Sequence, residues 1–349
     1  MTENVKRRTF LKTGLAALAG GLILPSPAAS GPAKVRLATL VPVGTSGDRA
    51  LREMGEKWRR APGGGVQVTV YNGAGMGGEP DIIRRMRIGQ IQAAALTAGG
   101  VARIDPGVSA VQNMPLIFRS LEELVFVRNR LFPLFQKQLL EKGFFLLFLS
   151  DAGWVRFFSK TPARLPEDFK SMKMFAEADS KDYTDLMRAA GFRPVELQYS
   201  DILTGLTAGN MIEALATAPF YAEAGQFYTA AKYMLELNWA PLSGGTVILR
   251  KTWESFAPKT QTALVKAAGE AADQVQRASR DEAEKAVVAM QKRGLVVHKP
   301  TAEEQAKWQE FAAHIQPMVR GKLVPADLFD QVQALLAEYR KSNQKEKKP

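Results

Sequence analysis

Cysteine is absent from the 349 residues, and histidine is limited to His298 and His314. Without thiols the chain has no disulfide scaffold, thiolate zinc site, iron–sulfur cluster or cysteine nucleophile. Two histidines rule out a three-histidine metal site and leave a Ser-His-Asp triad only two candidate bases. His298 precedes Lys299-Pro300 at a break between helices and His314 lies mid-helix, so both read as structural or solvent-facing. A Gly-x-Ser-x-Gly elbow, a P-loop and a dinucleotide fingerprint are also missing. No apolar run reaches the roughly 20 residues that span a bilayer. Hydrophobic residues nevertheless make up 46% of the chain, enough to build a substantial core, and the length fits about two domains.

Charge is the first positive signal: 47 Lys and Arg against 35 Asp and Glu give +12. Such an excess raises nucleic acid as a partner, but no nucleic-acid signature accompanies it. Part of the excess lies at the N-terminus, where Lys6-Arg7-Arg8-Thr9-Phe10-Leu11-Lys12 precedes a mildly apolar stretch from Thr13 to Leu24 and then Pro25-Ser26-Pro27-Ala28-Ala29-Ser30. A basic region, a short apolar stretch and a small-residue zone, in that order, predict an export signal. The paired arginines resemble the twin-arginine type, with cleavage expected near Ala28 to Ser30 and a periplasmic destination. Removing residues 1–30 lowers the charge to +9. Four more lysines fall in the polar tail 341–349, which reads as disordered. The remaining basic excess is a solvated surface, and nucleic acid is not an expected partner.

Along the mature chain, strand and helix alternate. Strands are expected at Val35–Val41, Val66–Tyr71 and Ile91–Thr97, with helices at Gly47–Arg60 and Glu79–Gly89 between them. A long helix over Leu121–Lys142 and a buried strand over Phe144–Ser150 follow. A second unit repeats the character, with strands at Val155–Ser159, Met172–Ala176 and Val195–Leu197 and helices at Ser180–Ala190, Ser200–Ala208 and Tyr221–Ala231. A short strand is expected at Thr246–Leu249. Helix then dominates, from about Pro258 to Arg293 and from Thr301 to Lys341. The first of these segments would run on the order of 50 Å, long enough to brace two lobes. The expected architecture is α/β: a mostly parallel, doubly wound sheet in each of two lobes. Lobe I takes residues 34–150 with part of 245–293, and lobe II takes 151–244 with part of 294–340. Two exported lobes without a catalytic constellation outline a type II-like periplasmic binding protein, in which a hinged cleft closes on a ligand.

Several stretches add a family resemblance. Pro42-Val43-Gly44-Thr45-Ser46-Gly47 is similar to the ligand-side loop of the TRAP transporter solute receptors of the DctP type. Gly77-Gly78-Glu79 with Met86-Arg87-Ile88-Gly89, Met114-Pro115-Leu116-Ile117-Phe118, and Pro166-Glu167-Asp168-Phe169-Lys170 resemble successive segments of that family. Gly191–Pro194 and Asp201–Glu213 continue the order, so the resemblance covers about residues 34–335. It implies a receptor, not an enzyme and without a cofactor, that captures a small organic solute, usually a carboxylate. The receptor would deliver it to the membrane subunits of a TRAP-type transporter. The family's carboxylate-anchoring arginine falls at Phe175, so the usual anchor is missing and the chain resembles a divergent branch.

Candidate ligand contacts follow. Arg156 is the leading polar candidate, since many family members place a second arginine there and a guanidinium matches a carboxylate with two charge-assisted hydrogen bonds. Phe175, if it faces the cleft, supplies an apolar wall. Trp154, Phe220, Tyr221, Gln226 and Tyr228 are candidates for the pocket lining, or else core. Glu177 and Asp179, two apart, would share one face of a strand and accept from a hydroxyl, an amine or a cation such as Ca²⁺; a solvated turn uses the same pair. Thr45 and Ser46 open a helix whose N-terminus would present N–H groups to an anion, or simply cap the helix. Two other functions stay open: an exported binding protein for sensing or lipid trafficking, and an exported α/β hydrolase with Glu177 and Asp179 as its acid–base pair.

Overall fold

The computed structural model describes residues 32–346, apart from 74–76 and 179. The export signal, its cleavage zone and Asp179 therefore lie outside the described residues. The first half runs β1 (Ala33–Thr39), α1 (Ser46–Arg59), β2 (Val66–Asn72), α2 (Glu79–Arg87), β3 (Ala93–Thr97), α3 (Ala98–Ala102) and α4 (Leu121–Glu141). Next come β4 (Phe144–Ser159), α5 (Pro166–Ser171), β5 (Lys173–Glu177), α6 (Lys181–Ala189), β6 (Arg193–Leu197), α7 (Ile202–Thr207), β7 (Ala214–Thr217) and α8 (Pro219–Ala224). The chain ends with β8 (Tyr233–Leu249), α9 (Arg250–Glu254), α10 (Pro258–Lys292), β9 (Val296–His298), α11 (Ala302–Val319) and α12 (Ala326–Glu346).

Local chemistry sets these elements. Thr45 caps α1 by accepting from the Asp48 N–H, acid and base sit at the matching ends, and Leu51, Met54 and Trp58 form its buried face. Ser120 caps α4 in the same way. Thr301 and Glu304 form a reciprocal capping box at the start of α11.

Among the described residues, the strands form one mixed sheet in the order β2-β1-β3-β8-β4-β7-β5-β6, with β9 paired to β8. β1–β2 and β1–β3 are parallel on one side, β5–β6 and β5–β7 on the other. The long strands β4 and β8 run antiparallel through the middle and belong to both halves. This differs from the expected pair of separate strands at 144–150 and 155–159. Asp151-Ala152-Gly153 reads as a turn, yet Gly153 takes φ +88° and the register shifts on both sides, so the strand bends and continues. Most of β8 escaped the sequence reading because Pro241 and Gly244-Gly245 punctuate it. At Gly244 a Cβ would come within 2.7 Å of the Leu96 carbonyl oxygen, so glycine is what lets β8 reach β3.

Two apolar layers flank each half of the sheet. Around the first half, one layer joins α2, α4 and α12, and the other joins α1 to the start of α10. Around the second half, α5, α6 and α11 cover one face with Trp308 fully buried, while α7, α8 and the end of α10 cover the other. Helix α10 thus packs on both halves, and buried Ala267, Ala268, Ala271, Ala283 and Ala286 let it lie close to them. The expected single helix over 301–341 is divided at Arg320–Pro325, where Gly321 is left-handed and Pro325 prevents continuation. Residues 341–346 continue α12 as helix, and the last three residues of the tail expected over 341–349 lie outside the described residues. No Gly or Pro interrupts them, and Lys, Gln and Glu are good helix formers. No helix among the described residues is long and apolar enough to cross a membrane.

Candidate functional site

In a sheet of this kind, ligands bind beyond the carboxyl ends of the parallel strands. Here β3, β5 and β7 all point toward the seam between the halves, and a cavity of about 520 Å³ lies there. The first half contributes Thr97, Arg103, Gln112 and Asn113; the second contributes Phe175, Glu177, Ser180 and Thr217; Val155, Trp239 and Leu242 form the floor. A second cavity of about 100 Å³ adjoins it through Thr97 and Leu242 and reaches Glu79, Asp151 and Tyr221.

Direct contacts cross the seam. Arg103 at the end of α3 donates from Nη2 to Ser180 Oγ at 2.8 Å. Gln198, just past β6, places Oε1 about 3.1 Å from where a Cβ on Gly78 would stand. Glu79, the first residue of α2, is 2% exposed and accepts from the Thr97 N–H and Thr97 hydroxyl. Burial, and then the negative charge of Glu177, raise its carboxyl from 4.5 to about 7, against the opposing pull of the Thr97 hydrogen bonds and Arg103. Burial likewise pushes the Tyr221 and Tyr199 phenols well up, with Glu79 adding to the first and Tyr221 and Glu177 to the second.

A different charge arrangement holds the floor. Asp151 on β4, 1% exposed, accepts from Arg128 Nη1 at 3.0 Å and from Arg280 Nε at 3.0 Å and Nη2 at 3.2 Å. Arg128 also donates to Gln276 on α10 at 2.7 Å. The network fastens α4, β4 and α10 where β4 passes from one half to the other.

Phe175, Glu177 and Tyr221 do line the cavities. Arg156 lines neither: it is 5% exposed, and its Nη2 donates to Glu284 on α10 at 3.0 Å, with Glu236 on β8 at 3.8 Å from Nη1. Trp154 packs half-buried against the core beneath α4. Phe220 is buried in the layer under α8. Tyr228 is buried with its hydroxyl toward Arg293, at the far end of α10. Gln226 takes a left-handed conformation, φ +56°, that ends α8 and begins a short turn over Phe227–Thr229. At the start of α1 an anion does sit on the helix N-terminus, and it is the protein's own. Glu282 of α10 accepts from Ser46 N and from Ser46 Oγ at 2.7 Å, and pairs with Arg49.

Sequence reasoning passed over Glu79, Thr97, Arg103, Asp151 and Tyr199. Only Glu79 carried a signal, as an acid directly after Gly77-Gly78 at a helix start, and acids are common there. Among the described residues, no group of three or more His, Asp or Glu is placed to hold a metal ion.

A larger hollow, about 710 Å³, opens at the outer ends of β1 and β2 beside Lys34, Arg36, Gln67 and Lys251. All of its lining comes from one half of the sheet, so closing the halves would enclose nothing there. The seam is the site that both halves build.

Comparison with known proteins shows the family and the fold. Residues 37–320 match the bacterial extracellular solute-binding protein family 7, also named DctP. The chain belongs to this family. It is a solute receptor and not an enzyme. It is 25% identical over 336 residues, 95% of this chain and 99% of the other, to the C4-dicarboxylate-binding periplasmic protein DctP of Rhodobacter capsulatus. The fold is that of solved TRAP periplasmic solute-binding proteins. One from Shewanella oneidensis with bound succinate superposes with a TM-score of 0.80 at 16% identity, covering 88% of this chain and 100% of that one. One from Pseudomonas putida F1 with bound D-glucuronate gives 0.78 at 21% identity, covering 86% and 97%.

Proposed function

We propose that this receptor takes up a small carboxylate-bearing organic solute in the periplasm, encloses it in the seam cavity, and delivers it to the membrane subunits of a TRAP-type transporter. The observation that carries the reading is the 520 Å³ cavity lined from both halves in a member of this family. Relatives of the same fold hold succinate and D-glucuronate, and a chain similar over nearly its whole length is named for C4-dicarboxylates. Within the cavity, Arg103 is the cation best placed to meet a carboxylate: it is half-buried, mounted on a short helix of one half and already bonded across to Ser180 of the other. Phe175, Glu177, Thr217 and Tyr221 supply the remaining contacts. Arg156 supports the site from behind, tying β4 to α10.

Calorimetry on the purified receptor tests this. Arg103→Ala should weaken binding of the solute at least about tenfold, the worth of a hydrogen bond to a charged group. Arg156→Met should lower the melting temperature while leaving affinity within about threefold, as expected for a side chain outside the cavity. The reverse pattern would move the carboxylate contact to Arg156, and conversion of any bound compound to product would overturn the receptor assignment.

A further inference from the structure

Apolar side chains make up most of the wall of the seam cavity. The strands β8, β4, β7 and β5 are neighbours in the sheet. They bring to it Trp239 and Leu242, Val155, Ala216 and Phe175 in turn. Phe157, also in the lining, meets Trp239 edge to face at 5.3 Å and holds the indole in place.

The polar lining is largely committed within the protein. The Thr97 hydroxyl donates to Glu79 and accepts from the Gly100 N–H. Gln112 Oε1 accepts from the Ser243 N–H at 3.0 Å. Ser180 takes Nη2 of Arg103. Positive charge is limited in the same way. Arg103 is half-buried and, among the described residues, donates only through Nη2. The other cations of the lining stand in solvent: Lys181 pairs with Asp185, and Lys322 is exposed.

An enclosed carboxylate needs a cation or several donors to replace its water. One half-buried arginine suits one carboxylate and leaves a second without a partner. A sugar acid adds several hydroxyls, each needing a partner once enclosed, against a wall of hydrocarbon. At about 520 Å³ the cavity is more than three times the roughly 150 Å³ that holds a benzene ring. We propose that the receptor selects a monocarboxylate with an apolar body the size of a phenyl ring or larger. Its carboxylate meets Arg103, and its hydrocarbon part lies against Phe175, Trp239 and Leu242. Such a solute differs from the succinate and D-glucuronate held by the solved relatives. This inference rests on the reading of the seam as the solute site.

Four probes that vary one feature at a time test it by calorimetry. Propionate, hexanoate and 3-phenylpropionate share one carboxylate and enlarge the apolar body. Adipate is hexanoate with a second carboxylate in place of its terminal methyl group. Each enclosed methylene is worth roughly fourfold in affinity. Hexanoate and 3-phenylpropionate should therefore bind at least about thirtyfold more tightly than propionate, and adipate at least about tenfold more weakly than hexanoate. Phe175→Ala should cost 3-phenylpropionate at least about tenfold while leaving propionate within about threefold, a split that general loosening of the fold would not produce.

Adipate that binds as tightly as hexanoate, affinity that does not rise with the apolar body, or 3-phenylpropionate binding unchanged in Phe175→Ala overturns the proposal and leaves the receptor reading intact. If none of the four binds, the solute eluted from protein taken from its own host decides by mass spectrometry. One carboxylate on a hydrocarbon body supports the proposal; a second carboxylate or several hydroxyls overturn it. Protein that carries no solute, with a melting temperature unmoved by all four compounds, would instead overturn the receptor reading.

Discussion

Asp151 and Glu79 are equally hidden from solvent, at 1% and 2% exposure, and the protein treats them in opposite ways. Asp151 lies on the strand that joins the halves and is met by two arginines, so its charge is balanced inside the fold. Glu79 lies where the halves meet and is met by a threonine, a tyrosine and another carboxylate, with Arg103 as the opposing charge. A buried charge that the fold neutralises is architecture, because removing it leaves partners stranded. A buried carboxyl facing a like charge, with only hydrogen bonds and a more distant arginine to offset it, is instead pushed toward its neutral form. The contrast separates the floor, where charge is paired within the fold, from the seam, where Glu79 has no arginine at hydrogen-bond distance.

The comparison breaks most visibly at the floor. Asp151→Ala strands Arg128, whose side chain is only 8% exposed, together with Arg280. A loss of about 3–5 kcal/mol in denaturant-unfolding free energy is expected; a loss below about 1 kcal/mol would mean that the network does not hold the halves.

The seam gives a smaller effect of opposite sense. A carboxyl raised from 4.5 to about 7 binds its proton more firmly in the folded state than in the unfolded one. Its contribution is therefore fully present below about pH 4.5 and is lost as pH rises through about 7, a change on the order of 3 kcal/mol. Glu79→Gln cannot titrate, so its stability profile should be flatter over that window, and above it the variant should match or exceed the wild type. Identical slopes in the two proteins would show that Glu79 titrates as an ordinary surface acid.

Much of the fold was legible because periodicity and punctuation agree with it in the first half. Leu51, Met54 and Trp58 repeat at helical spacing, and the Pro62–Gly65 break stands where α1 gives way to β2. Legibility failed where a residue that usually ends an element was used to bend it: Gly153 in β4, and Pro241 with Gly244-Gly245 in β8. Gly225 and left-handed Gln226 had the contrary effect, cutting the expected helix over 221–231 after Ala224. At the site, Phe175 and Glu177, both named from the sequence, line the seam cavity. Arg103 and Glu79 were illegible for another reason: each acts across the seam, and pairings between distant segments leave no local pattern. Arg156 shows the same limit from the other side, since its residue type pointed to a carboxylate and the fold supplied one in Glu284.

A crystal structure of the receptor with the solute it carries from its own host tests the central claim most directly. The account predicts density in the seam, touching Thr97 and Arg103 on one side and Phe175 and Glu177 on the other, with both halves closed on it. A solute seated instead in the hollow beside Lys34, Arg36 and Lys251, with the seam empty, would contradict it.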